Sequence, residues 1–229
     1  MWRNGGSGLA GVGSLVATVD ATKDGGMKVV SNSGAQWLNV GENSGWTAVG
    51  DGEFNANTTT REILWRNSQT NDVNVWSYKA DRSLSSANSV SLDGVNVKVG
   101  AEWTVIGISN VDATGNDEIV WQSGTLISIW KMTADTVVSG ALETVGAGDR
   151  LKSIADVDKD GVLDLIGQND TDGTIGFYTL TTTLAKKADR VTYTLGKEAY
   201  KPGKGTGNAG FELVNVAQYD TIPTPVASV

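Results

Sequence analysis

The sequence predicts an all-β fold, and three features support this class: the composition, the chemistry of the turns and an internal repeat. The 229 residues include 29 glycines but only three prolines, and Ser, Thr, Asn, Asp and Val are abundant. β-branched residues favour strands, whereas Gly, Asn and Asp favour the tight turns that join strands. The composition therefore indicates many short strands, with helix as the minor state.

A short pattern recurs along the chain and defines the predicted repeat unit. Residues 45–50 read GWTAVG and residues 102–107 read EWTVIG, with weaker copies at 14–18, 150–155 and 211–215. Each copy leads into a turn that carries Asp or Asn, and in most units an apolar strand, a polar turn and a further strand follow. The spacing of the copies is close to the roughly 40 to 50 residues of a propeller blade.

This repeat predicts a small β-propeller of five blades within a single domain, residues 1–229. Strands from both termini are expected to close the last blade, because closure hides sheet edges that an open array would expose. The tripeptide Trp-Arg-Asn at residues 2–4 recurs at 65–67, so we expect the chain to be part of a longer polypeptide. The approximate repeat units are 14–50, 51–107, 108–155, 156–210, and the closing blade 211–229 plus 1–13.

Residue types that are absent exclude several classes of function. The chain has neither Cys nor His, which removes disulfides, thiol and imidazole catalysis, and the usual zinc and copper ligands. A net charge of -8 argues against nucleic acid, whose phosphates require Lys and Arg. No membrane span is expected, since no stretch approaches about 18 to 20 apolar residues. Without a nucleophile elbow or a phosphate-binding glycine loop, we expect no enzyme.

Residues 156–164 form the strongest candidate metal site. They read DVDKDGVLD, which places carboxylates at loop positions 1, 3, 5 and 9 and a glycine at the turn. Neighbouring carboxylates repel one another unless a cation neutralises them, and Ca²⁺ binds about six to eight oxygen atoms. An EF-hand is excluded because Gly167 stands where that motif needs Glu; an acidic turn without metal is the alternative. The predicted calcium ligands are Asp156, Asp158, Asp160, the carbonyl of Val162, and Asp164.

A second loop aligns in register with the first and predicts a weaker site, because it carries fewer charges. Its candidate ligands are Asn110, Asp112, Thr114, Asn116 and Glu118. The loops at 18–24 and 51–57 lose this register and are expected to be hydrogen-bonded turns without metal.

An Asp-rich turn, an Ile-Leu-Trp-Arg-Asn strand and a Val-Trp strand follow one another in this sequence. This order resembles the FG-GAP or VCBS repeats of integrin-α-like propellers and bacterial surface proteins, best at residues 62–78, 110–130 and 156–178. The resemblance implies a propeller fold, calcium in some blade loops, and a role in adhesion or glycan recognition. We expect an extracellular or cell-surface location, where calcium near about 1 mM keeps weak sites occupied.

Eight tryptophans are candidates for packing or for ligand contact. Those in the repeat-equivalent apolar strands, Trp46, Trp65, Trp103 and Trp121, are expected to pack between blades. Tryptophans on the second strands are the candidates for stacking on sugar rings: Trp37, Trp76 and Trp130.

The expected partner is a glycan or a protein. The alternatives are a structural spacer or an assembly module of a larger exported or viral particle protein. The basic stretch 186–204 is either a solvated face or a partner surface.

Overall fold

The structure is a computed structural model that describes residues 2–4, 9–12, 15–20, 26–32, 36–39, 44–55, 61–79, 83–195 and 198–199. Side chains are described for 44–55, 62–79 and 83–193. All regular structure in these ranges is β-strand, which confirms the all-β class. A helix long and apolar enough to cross a membrane is absent from this part of the chain.

The chain divides into two compact units, Met1–Glu53 with Asn57–Ala101 and Phe54–Ala56 with Glu102–Val229. This division leaves the predicted single domain untested. The strands of the first unit are β1 (Trp2–Asn4), β2 (Leu9–Val12), β3 (Leu15–Asp20), β4 (Gly26–Asn32), β5 (Gln36–Asn39), β6 (Trp46–Gly52), β7 (Arg61–Asn67), β8 (Val73–Tyr78), β9 (Leu84–Ser89), β10 (Ser91–Leu92) and β11 (Val95–Asn96). Those of the second unit are β12 (Thr104–Ser109), β13 (Glu118–Ser123), β14 (Leu126–Thr133), β15 (Thr136–Thr144), β16 (Asp149–Ala155), β17 (Asp164–Asn169), β18 (Ile175–Tyr178), β19 (Val191–Thr192), β20 (Thr194–Leu195) and β21 (Glu198–Ala199).

Three antiparallel meanders organise the described strands. In the first unit β6 to β9 pair in consecutive order. In the second unit β12 to β15 form one meander and β16 to β19 form the other. These meanders coincide with the repeat, because alternation and turn chemistry within about 40 residues are sufficient to specify them.

The predicted five-bladed β-propeller is wrong. The described strands form separate sheets, three of them with four or more strands, and none of these sheets is closed. The repeat predicts pairing between strands that are adjacent in sequence. Ring closure depends on contacts between distant sheets, and a local pattern does not encode them.

The closing blade also differs from its prediction. β2 pairs with β1 on one edge and with β5 on the other, so its neighbours come from the N-terminal part of the chain. The repeat predicts that β5 pairs with β4 in one sheet of the unit 14–50. Among the described strands, β3 and β4 instead form a two-stranded hairpin without β5. The predicted C-terminal contribution, 211–229, lies outside the described residues.

The first strand of each meander contains a β-bulge at the same place in the repeat. The register of the pairing shifts between Ala48 and Gly50 in β6 and between Val105 and Gly107 in β12. In β16 the shift falls between Leu151 and Ser153. A bulge bends the strand and increases its twist, which disfavours the pairing of an exposed edge with another chain.

The core of the second unit anchors both acidic loops. Ile127, Ile129 and Leu165 have no exposed surface, and Val111 and Val162 are buried in the same cluster. Full burial of a side chain of this size contributes about 1.5–3 kcal/mol. Each loop is therefore attached to the core by an apolar residue of its own.

One apolar cluster of the first unit consists of Ile63, Trp65 and Tyr78, with Trp46 and Trp76 packed against it. Trp65 is fully buried, but it packs in this cluster and not between the blades of a propeller. Trp121 has the equivalent position in β13 of the second unit and is also fully buried. Both side chains follow an Ile and a second apolar residue in their strands.

Candidate metal centre

The first acidic loop connects β16 to β17, and Asp156 organises its backbone. The two carboxylate oxygens of Asp156 accept hydrogen bonds from the N–H groups of Asp160 at 3.1 Å and of Gly161 at 3.0 Å. Lys159 and Gly161 have φ angles of 62° and 90°, in the left-handed region. Glycine adopts this region without a steric penalty, which explains the glycine at the turn.

Asp164 begins β17 at the base of the loop, where its side chain is fully buried. Its carboxylate accepts hydrogen bonds from the N–H groups of Val157 at 3.0 Å and Leu180 at 3.1 Å. Burial raises the pKa of Asp164 because it disfavours the charged form. A cation at the loop would offset this cost of burying the carboxylate.

Asp156, Asp158 and Asp164 converge. Each provides one carboxylate oxygen, and these oxygens lie within 4.8 Å of one another. The group could hold a metal ion, and it is the one such group of three among the described residues. Its donors are all carboxylate oxygens, the ligands that hard divalent cations prefer.

The other two predicted ligands of this loop are placed differently. The carboxylate of Asp160 accepts hydrogen bonds from the Lys187 ammonium and from the N–H of Val162, the latter at 2.9 Å. The hydrogen bond from Lys187 lowers the pKa of Asp160. Lys187 also approaches Asp158, with Nζ 3.3 Å from Oδ2. The Val162 side chain is buried in the core. The assignment of Asp160 and Val162 as metal ligands stays a prediction.

The second loop, between β12 and β13, repeats the backbone geometry of the first. The side chain of Asn110 accepts a hydrogen bond from the N–H of Gly115 at 3.2 Å, as Asp156 does from Gly161. Glu118 accepts one from the N–H of Val111 at 2.7 Å, as Asp164 does from Val157. The structure therefore supports the register in which the two loops were aligned.

A lysine occupies the centre of the second loop. The Lys131 ammonium contacts the Asp112 carboxylate, and its Nζ lies 2.9 Å from Thr114 Oγ1. The Asp112 side chain is 1% exposed, so this ion pair neutralises a buried charge. Asn116 donates its side-chain amide to the carbonyl of Met132 at 2.9 Å. The second calcium site stays a prediction.

Glu118 is the most perturbed acid of the two loops. Burial, with a further contribution from the nearby Asp112 carboxylate, raises the pKa of Glu118 to about 7. Its Oε1 is buried and accepts no hydrogen bond in the structure. A buried acid lies at the start of the second strand of all three meanders: Glu118 and Asp164 begin their strands, and Glu62 is the second residue of β7. In the sequence this position is an acidic residue directly before a run of apolar residues. Sequence reasoning identified Glu118 and Asp164 as candidate ligands from this pattern but missed Glu62.

Two of the three tryptophans proposed to contact sugars, Trp76 and Trp130, pack against other tryptophans. The ring centroids of Trp76 and Trp65 are 4.7 Å apart, and those of Trp130 and Trp121 are 5.2 Å apart. Trp130 also donates its indole N–H to Ser128 Oγ at 2.9 Å. Trp76 and Trp130 are half-buried. Trp37 belongs to β5, but its side chain lies outside the described residues. The role of these residues in ligand binding stays a prediction.

A cleft of about 900 Å³ lies along β12 and β16, and sequence reasoning missed it. Gln122 forms part of its wall and connects the sheet that contains β12 to the sheet that contains β16. Its side chain donates a hydrogen bond to the carbonyl of Asp149 at 2.7 Å and accepts one from the N–H of Leu151 at 2.8 Å. On the rim, Arg150 pairs with Asp170 at 2.5 Å. No periodic signal marks these residues, because they belong to different repeats.

No protein-family model matches the chain, and no curated protein matches it either. The resemblance to FG-GAP or VCBS repeats, drawn from residues 62–78, 110–130 and 156–178, thus stays a prediction.

Proposed function

We propose that this chain is a recognition module whose all-β fold is stabilised by calcium and which acts at the cell surface or outside the cell. One observation carries the calcium assignment: the carboxylate oxygens of Asp156, Asp158 and Asp164 lie within 4.8 Å of one another.

Calcium is the cation that best suits these donors. Carboxylate and carbonyl oxygens bind hard cations, and Ca²⁺ tolerates irregular loops better than Mg²⁺, which requires near-octahedral geometry. The absence of Cys and His removes the ligands that zinc and copper prefer. Bound calcium would neutralise Asp164, whose carboxylate is buried, and would fix the connection between β16 and β17.

The proposed location follows from the affinity expected of such a loop. Sites of extracellular modules often bind calcium with dissociation constants of about 0.1–1 mM. The calcium concentration outside the cell keeps such sites occupied, whereas cytosolic calcium does not. A fold that depends on this metal is therefore suited to the cell surface.

Calcium titration by isothermal calorimetry tests the metal assignment. We expect saturable binding by the wild type and at least tenfold weaker binding by Asp158→Asn, which removes a charged ligand but preserves side-chain size. Asp189→Asn is the matched control, because Asp189 is an exposed aspartate of the same unit outside the loop. Equal calcium binding by all three proteins would refute the assignment.

A purely structural spacer or assembly module is the second candidate. The packing of Trp76 on Trp65 and of Trp130 on Trp121 favours it, because these aromatic faces already have contacts within their own sheets. A broad glycan array separates the two candidates. Binding that Trp130→Ala abolishes would support recognition, whereas no binding across the array would leave the spacer as the better account.

A further inference from the structure

We propose that Lys187 is an internal competitor of calcium, so that its ammonium group sets the calcium affinity of the first acidic loop. The inference rests on the proposed function, since it concerns the regulation of the same site. It is supported by the contacts of Lys187 with Asp158 and Asp160, which are separate from the convergence of the three aspartates.

The Lys187 ammonium lies between two carboxylates of the loop. It forms an ion pair with Asp160, and its Nζ is 3.3 Å from Asp158 Oδ2. Asp158 is also one of the three aspartates that converge on the candidate metal position. A calcium ion bound there and the Lys187 ammonium would draw on the same carboxylate.

The second loop shows the same arrangement with a different lysine. There Lys131 contacts Asp112 and Thr114, which occupy the loop positions that correspond to Asp158 and Asp160. The two lysines come from different places in the sequence, one from β14 and the other from the segment after β18. In both loops an ammonium group therefore contacts the residues at positions 3 and 5.

The backbone of Lys187 is held in place, so competition would involve its side chain alone. Its N–H donates to the carbonyl of Thr179 at 2.8 Å, and the preceding Lys186 forms a bridge with Leu180. The N–H of Leu180 in turn donates to Asp164 at 3.1 Å. The segment that carries the lysine is thus attached to the loop independently of the ion pair.

The competition has a defined direction. The Lys187 side chain is 32% exposed, so it can move into solvent when a divalent cation takes its place. Exposed ion pairs of this kind are weak, which makes Lys187 a displaceable counterion. Its removal should strengthen calcium binding, because the metal then has no ammonium group to displace.

The first test compares Lys187→Met with the wild type by calorimetric titration of CaCl₂. We expect calcium binding to become about two- to fivefold tighter, the range set by a weak, partly exposed ion pair. Lys186→Met is the matched control: it removes the same charge from the adjacent residue, whose ammonium lies 5.1 Å from the Tyr178 ring centroid. Its affinity should equal that of the wild type.

The second test needs no variant and measures the reactivity of Lys187 itself. Trace acetylation followed by mass spectrometry is performed on the wild type in EDTA and in saturating CaCl₂ at equal ionic strength. We expect Lys187 to be acetylated faster with calcium, because its ammonium is released. Lys131 should be unchanged, since its partner Asp112 does not belong to the group of three aspartates.

The outcomes separate this inference from the proposed function. Calcium binding with equal affinity by the wild type and Lys187→Met, or unchanged acetylation of Lys187, would overturn the inference alone. Absence of calcium binding by every variant would overturn the proposed function and the inference with it.

Discussion

The backbone N–H of Leu163 donates a hydrogen bond to the carbonyl of Val111 at 2.9 Å, and this bond joins the two acidic loops of the second unit. Both residues are buried in the same core cluster. The loops are therefore coupled to each other through the core, although the carboxylates of each contact a different lysine. A change that loosens this connection should affect the whole unit.

Leu163→Ala tests the packing of the Leu163 side chain in this core cluster and keeps the backbone hydrogen bond to Val111. We expect the free energy of unfolding to fall by about 2–5 kcal/mol, because the substitution leaves a cavity beside the loop. Leu142→Ala is the matched control: Leu142 is 69% exposed, whereas Leu163 is 5% exposed. Urea denaturation measures both. Equal losses for the two variants would contradict the role assigned to Leu163.

Glu118 predicts a pH dependence of stability. In the unfolded chain its pKa is near the ordinary value of 4.5, and in the folded protein burial raises it to about 7. Folding thus favours the protonated form. The contribution of Glu118 to stability is complete below about pH 4.5 and is lost as the pH rises through 7.

Glu118→Gln removes this titration. In EDTA we expect the wild type to lose about 2–3 kcal/mol more than the variant between pH 5 and pH 8, at about 1.4 kcal/mol for each pKa unit. Chemical denaturation at several pH values measures the difference. Glu102→Gln, at an exposed glutamate of the same unit, is the control and should follow the wild type. Parallel curves for all three proteins would show that Glu118 does not titrate in this range.

Lys131→Met should destabilise the protein in the absence of calcium. The variant leaves the buried Asp112 carboxylate without its cation, and breaking a buried ion pair in this way costs about 3–5 kcal/mol. We further expect calcium to recover part of this loss by binding at the second loop, which raises the stoichiometry from one ion to two. Thermal melts with and without CaCl₂ and a calorimetric titration measure the two effects.

Lys152→Met provides the control for Lys131→Met, because it makes the same change of charge in β16, away from both loops. It should have little effect on either quantity. If calcium failed to stabilise Lys131→Met beyond its effect on the wild type, the second loop would not be a latent metal site.

The sequence predicts the features of this protein that depend on neighbouring residues. The meander β12 to β15 follows from the alternation and turns of one repeat, and the loops at 110–118 and 156–164 share a backbone geometry because they share a spacing of polar residues. Asp158 and Asp164 could therefore be assigned to one site without a structure. These parts of the fold require no distant contact.

The features that sequence reasoning missed depend on contacts across the fold. Lys131 is 19 residues from Asp112, and Lys187 is 27 residues from Asp160. Neither lysine has a spacing that links it to its acidic loop. The predicted ring of blades failed for the same reason, since closure is determined by distant sheets. The bulge at Ile106 was also missed, because it preserves the apolar character of the strand.

The most direct test of the account is the melting temperature of the wild type and of Asp158→Asn in EDTA and in calcium. Binding to the folded state alone stabilises it by about 2.7 kcal/mol when calcium is at 100 times the dissociation constant. For a chain of this size we expect calcium to raise the wild-type melting temperature by about 5–10 °C and that of Asp158→Asn, which binds at least about tenfold more weakly, by no more than about half as much. Equal melting temperatures of the wild type in EDTA and in calcium would contradict the central claim.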